Sequence, residues 1–170
     1  ECIAEKMALG YRLTFDPNDE ITITAGGTQA LFTAIATVIN PGDEVIIFEP
    51  AYDAYAPTVR LFGGTVRNLT LLAPSFEIDW LEVKRNVTER TKLIIINSPG
   101  NPSTKLFRKS DFDALSHLVE GTDIMVLSDE VYADMVYDGE RFTSALQYPV
   151  LRERSFVVGS FGKLFHVTGW

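Results

Sequence analysis

Residues 92–102 read KLIIINSPGNP, and this stretch decides the fold. Its apolar half is a short, unbroken run, which is typical of a parallel strand covered on both faces of its sheet. The run VIIF at 45–48 has the same character. Segments of helical period alternate with such runs, as they do in βαβ units. The sequence therefore predicts a three-layer α/β/α domain with a mostly parallel sheet.

Strands and helices are expected to alternate along the chain. Runs rich in β-branched residues place strands at 20–24, 44–48, 65–69, 92–97, 123–128 and 155–159. Helix formers followed by glycine or proline stops place helices at 28–40 and 51–62, and 79–87 and 109–119 complete the expected helices. A further helix is expected within the first 19 residues.

Length, composition and charge limit the classes of protein to which the chain can belong. With 170 residues, 46% of them apolar and 22% charged, the chain is expected to fold as one domain. Its net charge of −8 repels the nucleic-acid backbone and anionic lipid, so neither nucleic acid nor a membrane is an expected partner. Cys2 is the only cysteine, which excludes an internal disulfide and a cysteine-based zinc site; no metal is expected, and a reducing cytoplasm is favoured.

Polar and glycine residues follow five of the expected strands. In an open α/β sheet, ligands bind in the crevice beyond the carboxyl ends of the strands. The candidate site residues at these ends are Gly26, Gly27, Thr28, Tyr52, Asn97, Asn101, Asp129, Tyr132, Ser160 and Lys163. Their positions predict a single binding crevice.

The turn formed by Gly26, Gly27 and Thr28 is a candidate phosphate seat. Glycines let the backbone approach an anion, and the amides and positive dipole of the following helix face it. An ordinary strand-to-helix turn is the alternative. The pattern departs from the dinucleotide fingerprint and from the P-loop, which argues against NAD and ATP.

Asp129, Tyr132 and Lys163 are the candidate catalytic residues. An ionised Asp129 at the end of an apolar strand is costly without a cationic partner, and a pyridinium nitrogen would supply one. Tyr132 lies three residues on and would donate to the phenolate oxygen of the same ring. Lys163 follows a short connection that would place its amine in a desolvated pocket suited to a nucleophile. The alternatives are a helix N-cap for Asp129 and a solvated surface position for Lys163.

These segments occur in the order and approximate spacing of the fold-type I aminotransferases of class I and II, and the resemblance covers essentially the whole chain. It implies pyridoxal 5'-phosphate as the cofactor, with its phosphate bound by the 25–31 turn and by Ser160. Tyr52 matches the aromatic residue that stacks on the pyridine ring. Asn101, in the motif that begins at Asn97, matches the residue that contacts the ring oxygen and the substrate carboxylate.

The resemblance also implies a reaction. Lys163 matches the lysine that forms the Schiff base and then moves the substrate's α-proton, and Asp129 with Tyr132 matches the family's Asp-x-x-Tyr pair. The implied enzyme is an aminotransferase that moves an amino group between an L-amino acid and a 2-oxo acid. The segment LFHVTGW at 164–170 most resembles the branch of kynurenine, glutamine and methionine transaminases. An aromatic, methionine or glutamine-like amino donor is therefore expected.

Residues 1–170 are expected to be an incomplete large cofactor-binding domain. The chain has no initiator Met and stops soon after Lys163. Relative to the family, the N-terminal segment and the C-terminal small domain, which carries an arginine for the substrate carboxylate, are absent. The chain by itself is therefore expected to have little activity, and the full-length protein is expected to be a homodimer.

Three alternatives remain open at the level of sequence. A pyridoxal-phosphate-dependent β-lyase acting on cysteine conjugates would use the same residues. A non-catalytic, aminotransferase-like sensor domain of a transcription regulator would share the fold. A doubly wound domain that binds another phosphorylated ligand is the third alternative.

Overall fold

The computed structural model describes residues 1–169, which form a five-stranded parallel sheet flanked by helices. The strands are β1 (Glu44–Glu49), β2 (Thr65–Thr70), β3 (Thr91–Asn97), β4 (Met125–Asp129) and β5 (Ser155–Val158). Their order is β2-β1-β3-β4-β5, and every adjacent pair is parallel. The chain therefore steps outward from β1 to β2 and then returns past β1 to β3. This reversal creates a topological switch point between β1 and β3, where open sheets bind ligands.

Seven α-helices and one 3₁₀ turn connect the strands in the described part of the chain. The helices are α1 (Cys2–Tyr11), α2 (Gly27–Val38), α3 (Tyr55–Leu61), α4 (Trp80–Asn86), α5 (Lys109–Val119), α6 (Pro149–Arg152) and α7 (Phe161–Leu164), and the 3₁₀ turn is Ala145–Gln147. Helix α4 begins at Trp80 because the side chain of Asp79 accepts hydrogen bonds from two amides of its first turn. Among residues 1–169, no helix has both the length and the apolar character needed to span a bilayer.

The sheet divides the core into two layers, as expected for strands that are buried on both faces. One face packs against α4 and α5 through Ile46, Ile94, Ile96, Val126, Val83, Phe112 and Leu115. The opposite face packs against α2 and α3 through Val45, Ile47, Leu93, Ile95, Leu127, Leu31, Ile35 and Val59. Successive residues of β1 and β3 alternate between the two layers because strand side chains alternate in direction. The predicted three-layer α/β/α architecture is confirmed.

The strand expected at 20–24 is wrong. These residues form no strand, and the side chain of Ile23 is 70% exposed. The alternating sequence suits a strand, but a strand exists only when a neighbour pairs with its backbone, and no described strand does so here. The helix expected at 51–62 also starts late, at Tyr55: residues 51 and 52 have no regular structure, and 53 and 54 form a turn.

A cluster of charged side chains around the buried Glu44 stabilises the amino edge of the sheet. Glu44, at the start of β1, is 1% exposed and accepts hydrogen bonds from Arg67 of β2 at 2.9 Å, Arg90 at 2.6 Å and Thr88 at 2.8 Å. These contacts lower the pKa of Glu44 from 4.5 to about 2. The largest cause is the hydrogen bonding from Arg67, and the hydrogen bond from Thr88 and the charge of Arg90 act in the same direction. The ionised carboxylate thus joins β1 to β2 and to the turn before β3.

Glu44→Gln is expected to lower the free energy of unfolding by about 1–2 kcal/mol at neutral pH, because charge-assisted hydrogen bonds become neutral ones and the arginines are partly solvent-screened. The folded-state pKa lies below the unfolded value, so the stabilisation is present above pH 4.5 and is lost as the pH falls toward 2. Urea unfolding at pH 7 and pH 3 measures both effects. The exposed Glu140→Gln is the control, and equal losses at the two pH values would contradict the assignment.

Candidate cofactor site

The carboxyl edge of the sheet collects the predicted site residues. The residues come from the segments that follow β1, β3, β4 and β5 and from the start of α2. Asn97 and Asp129 are register partners on adjacent strands, so the ends of β3 and β4 coincide. The site therefore lies beside the switch point, where the sheet topology predicts a ligand crevice.

The start of α2 provides an open helix terminus. Gly26 is its N-cap, with a φ of 88° that favours glycine, and no side chain caps the first turn. A Cβ placed on Gly27 would lie 3.5 Å from Val131 and 3.8 Å from Ser160, so Gly27 and Ser160 are neighbours. The uncapped amides, the positive end of the helix dipole and the hydroxyl of Ser160 together suit an anion such as a phosphate.

Two tyrosines line the site beyond β1. The hydroxyl of Tyr52 lies 3.3 Å from Oγ1 of Thr28, which links the turn after β1 to the start of α2. The rings of Tyr52 and Tyr55 meet edge to face, with centroids 5.7 Å apart and an interplanar angle of 79°. Tyr52 is half-buried, whereas Tyr55 is only 2% exposed. A flat ligand could therefore stack on Tyr52, while Tyr55 lies behind it.

Asp129 is the buried charge of the site. It is 3% exposed at the end of β4, and its carboxylate accepts hydrogen bonds from the Tyr55 hydroxyl at 2.5 Å and the Val131 amide at 3.2 Å. Burial raises the pKa of Asp129, while Tyr55, Val131 and the charge of Lys163 act in the opposite direction. Residues 131–134 form a turn, so Asp129 does not cap an α-helix as the alternative interpretation required.

A hydrogen-bond chain joins the asparagines to Tyr132. The Nδ2 atom of Asn97 donates to the carbonyl oxygen of Asp129 at 2.9 Å, and Oδ1 of Asn97 accepts from the amide of Asn101 at 2.7 Å. The Nδ2 atom of Asn101 lies 3.4 Å from the hydroxyl of Tyr132. Both asparagines are thereby held at the same edge as Asp129.

Lys163 lies on α7, directly after β5. Its Nζ atom is 5.7 Å from the centroid of the Tyr132 ring, within the range of a cation–π contact. Its side chain is half-buried, and its charge lowers the pKa of Asp129. The solvated surface position considered as an alternative does not describe this lysine, because it is directed toward the site.

Two residues of the site were not assigned a role from sequence. Tyr55 binds Asp129, and its separation of three residues from Tyr52 on an expected helix was the signal that could have indicated it. Glu130 is buried, accepts hydrogen bonds from Ser128 Oγ at 2.8 Å and from the Ala145 amide at 2.9 Å, and has its pKa raised by burial to about 7. Its contact with the Ala145 segment had no sequence signal.

These residues fit pyridoxal 5'-phosphate. The fit rests on the buried carboxylate of Asp129, for which a pyridinium nitrogen is a suitable cation. The amides at the start of α2 and the hydroxyl of Ser160 suit the phosphate, and Tyr52 offers a ring for stacking. The amine of Lys163 is on the same side of the sheet.

The fold and the site define a doubly wound α/β domain with a ligand crevice at the carboxyl edge of its sheet. Residues 1–170 match the family model of the class I and II aminotransferases. The methionine aminotransferase of Escherichia coli (strain K12) is 45% identical over 170 residues, which cover 100% of this chain and 44% of that protein. Kynurenine–oxoglutarate transaminase 1 of Homo sapiens is 37% identical over 166 residues, which cover 91% of this chain and 39% of that protein.

Solved structures agree with this result. YbdL from Escherichia coli, described as having a methionine aminotransferase function, superposes with a TM-score of 0.98 and 45% identity, over 100% of this chain and 45% of that one. N-succinyldiaminopimelate aminotransferase from Mycobacterium tuberculosis gives a TM-score of 0.94 and 32% identity, over 99% of this chain and 44% of that one. The chain belongs to the class I and II aminotransferase family and has the fold-type I architecture. It spans less than half the length of these relatives.

Trp170, part of the segment 164–170 that resembled one branch, lies outside the described residues.

Proposed function

We propose that this chain is the greater part of the pyridoxal-phosphate domain of an aminotransferase that moves an amino group between an L-amino acid and a 2-oxo acid. The observation that carries the proposal is the buried carboxylate of Asp129, which lies in the field of Lys163 and accepts hydrogen bonds from the Tyr55 hydroxyl and the Val131 amide. When bound, the cofactor supplies a protonated pyridine ring that accepts electron density from the substrate's α-carbon.

Different residues of the chain have different roles in that reaction. The amine of Lys163 would form the covalent link to the cofactor. Once released by the incoming amino acid, it would take the proton from the substrate's α-carbon and deliver it to the cofactor's carbonyl carbon, on the other side of the imine nitrogen. Asp129 holds the proton at the ring nitrogen. Tyr132 and Asn101 donate hydrogen bonds to the ring oxygen, and Asn101 also binds the substrate carboxylate.

The remaining residues bind and orient the cofactor. Tyr52 fixes the plane of the ring by stacking. Gly26, Gly27 and Thr28 present the amides of α2 to the phosphate, and Ser160 adds a hydroxyl. Asn97 holds Asn101 and the strand end that carries Asp129.

An aromatic, methionine or glutamine-like amino donor is proposed for the full-length protein. The names of the methionine and kynurenine relatives support this choice. Elimination of a β-leaving group by a cysteine-conjugate lyase is the second candidate function, because Lys163 and Asp129 serve it equally well. Release of pyruvate from a cysteine conjugate by the full-length protein, at a rate that exceeds amino transfer, would favour the lyase.

Residues 1–170 are proposed to be part of a large domain, which a further segment of the full-length protein completes. The relatives, of which the chain covers about 44%, support this division. We further propose that the full-length protein is a homodimer and that it resides in the cytoplasm, where the exposed Cys2, the single cysteine of residues 1–170, stays reduced.

The test is reductive labelling of the full-length protein. Pyridoxal phosphate is added, the complex is reduced with borohydride, and the labelled peptide is identified by mass spectrometry. The label is expected at Lys163, and an assay with methionine and a 2-oxo acid is expected to detect amino transfer. A label at another lysine, or no label, would remove the proposal.

A further inference from the structure

Tyr55 joins two parts of the candidate site that are distant in sequence. It is the first residue of α3, and its hydroxyl donates to Oδ2 of Asp129 at 2.5 Å across 74 residues of chain. Its ring is 2% exposed and packs in the core layer beneath α2 and α3. Because this packing fixes the ring, the hydroxyl is held against a single acceptor.

The hydrogen bond has a defined direction. Burial, the largest cause, and the charge of Asp129 both raise the pKa of Tyr55, so Tyr55 stays a neutral donor. The same hydrogen bond acts to lower the pKa of Asp129 against the effect of burial. Tyr55 is therefore the donor of this hydrogen bond, and the carboxylate of Asp129 is the acceptor.

Few other titratable groups face Asp129. Lys163 acts on it from α7, and Glu130 is its neighbour in the chain. Helix α2, which packs on β4, has no titratable side chain. On the far side, Tyr55 contacts Tyr52 edge to face, so one residue supports both the carboxylate and the proposed stacking ring.

We propose that Tyr55 is a positioning residue that keeps the carboxylate of Asp129 ionised and directed at the cofactor ring. This inference rests on the proposed function, because it assigns Tyr55 to the same cofactor site. A neutral Asp129 cannot pair with a protonated ring nitrogen, so the hydrogen bond from Tyr55 controls the acid limit of cofactor binding.

The experiment measures the dissociation constant of pyridoxal phosphate for the full-length protein between pH 4 and pH 8. Affinity is expected to fall below the pH at which Asp129 of the free protein takes up a proton. The pH at which affinity begins to fall is called the break. In Tyr55→Phe the break is expected to move to higher pH by about one unit or more, because a hydrogen bond to a charged group is lost. 3-Fluorotyrosine at position 55, a stronger acid and donor, is expected to move the break to lower pH.

Tyr148→Phe is the matched control. Tyr148 is half-buried and stacks on Phe112 at 5.2 Å in the opposite core layer, so its variant loses the same atom far from Asp129 and keeps the wild-type break. Equal weakening by Tyr55→Phe at all pH values would show a structural role only and overturn the inference. If Tyr55→Phe does not fold, the inference is tested with the 3-fluorotyrosine protein. A break at the same pH as in the wild type would then overturn the inference. Failure of the wild type to bind the cofactor would instead remove the proposed function.

Discussion

Lys163→Ala is expected to reduce amino transfer by the full-length protein by at least about 10³-fold. Under the proposed function, the site without this amine loses both the group that forms the covalent link and the group that moves the proton of the α-carbon. Lys105 lines a cavity with Tyr55 and Asn101, but its amine is paired with Glu77 at 2.7 Å, so it is not expected to replace Lys163. Steady-state assays and loss of borohydride labelling measure the two consequences separately.

Lys109→Ala is the control for this substitution. Lys109 is 79% exposed on α5 and pairs with Asp113, so its removal is expected to leave both assays unchanged. If Lys163→Ala retained activity within about tenfold of the wild type, the assignment of Lys163 as the base would be wrong.

Asp129→Asn is expected to lower kcat by about 10²- to 10³-fold, because the substitution keeps the shape of the side chain and removes the charge that holds the proton at the ring nitrogen. Stability should respond differently. Burial opposes the ionised form of Asp129, so an amide of the same size is expected to leave the melting temperature of the cofactor-free protein unchanged or raised. Steady-state kinetics and thermal unfolding together distinguish loss of function from loss of fold.

Asp134→Asn is the matched control for Asp129→Asn. Asp134 lies five residues further on, is 43% exposed and pairs with Lys6 at 2.7 Å. Its neutralisation removes an ordinary surface ion pair and is expected to leave kcat unchanged. A kcat for Asp129→Asn equal to that of this control would contradict the proposed role of Asp129.

The layered architecture could be predicted from sequence because it depends on local patterns. The unbroken apolar runs at 45–48 and 93–96 lie in β1 and β3, and α5 begins and ends where its sequence indicated. The segment 20–24 was misassigned because strand formation also depends on a pairing partner, which no local pattern reveals. Short elements such as α6 and α7 were missed because three or four residues carry no periodic signal.

The site could be predicted in outline for a similar reason. Parallel strands bring their carboxyl ends to one edge, so motifs at those ends meet whatever the details of packing. Asn97 and Asp129 illustrate this, since they are register partners. Glu130 could not be assigned, because its role comes from a contact with Ala145 that only the packed structure specifies. The spacing of Tyr55 from Tyr52 was a signal, but it did not reveal Asp129 as the partner of Tyr55.

The site residues are spread along most of the chain, and this determines when the site can be completed during synthesis. Its first contributor is Gly26 and its last is Lys163, and the residues between them come from four different strand ends. Under the proposed function, a nascent chain therefore cannot complete the cofactor site until β5 and α7 have been synthesised and β5 has paired with β4. Under the proposed function, the covalent link at Lys163 forms only on a finished sheet, and occupancy of that lysine would serve in the cell as a marker of completed folding.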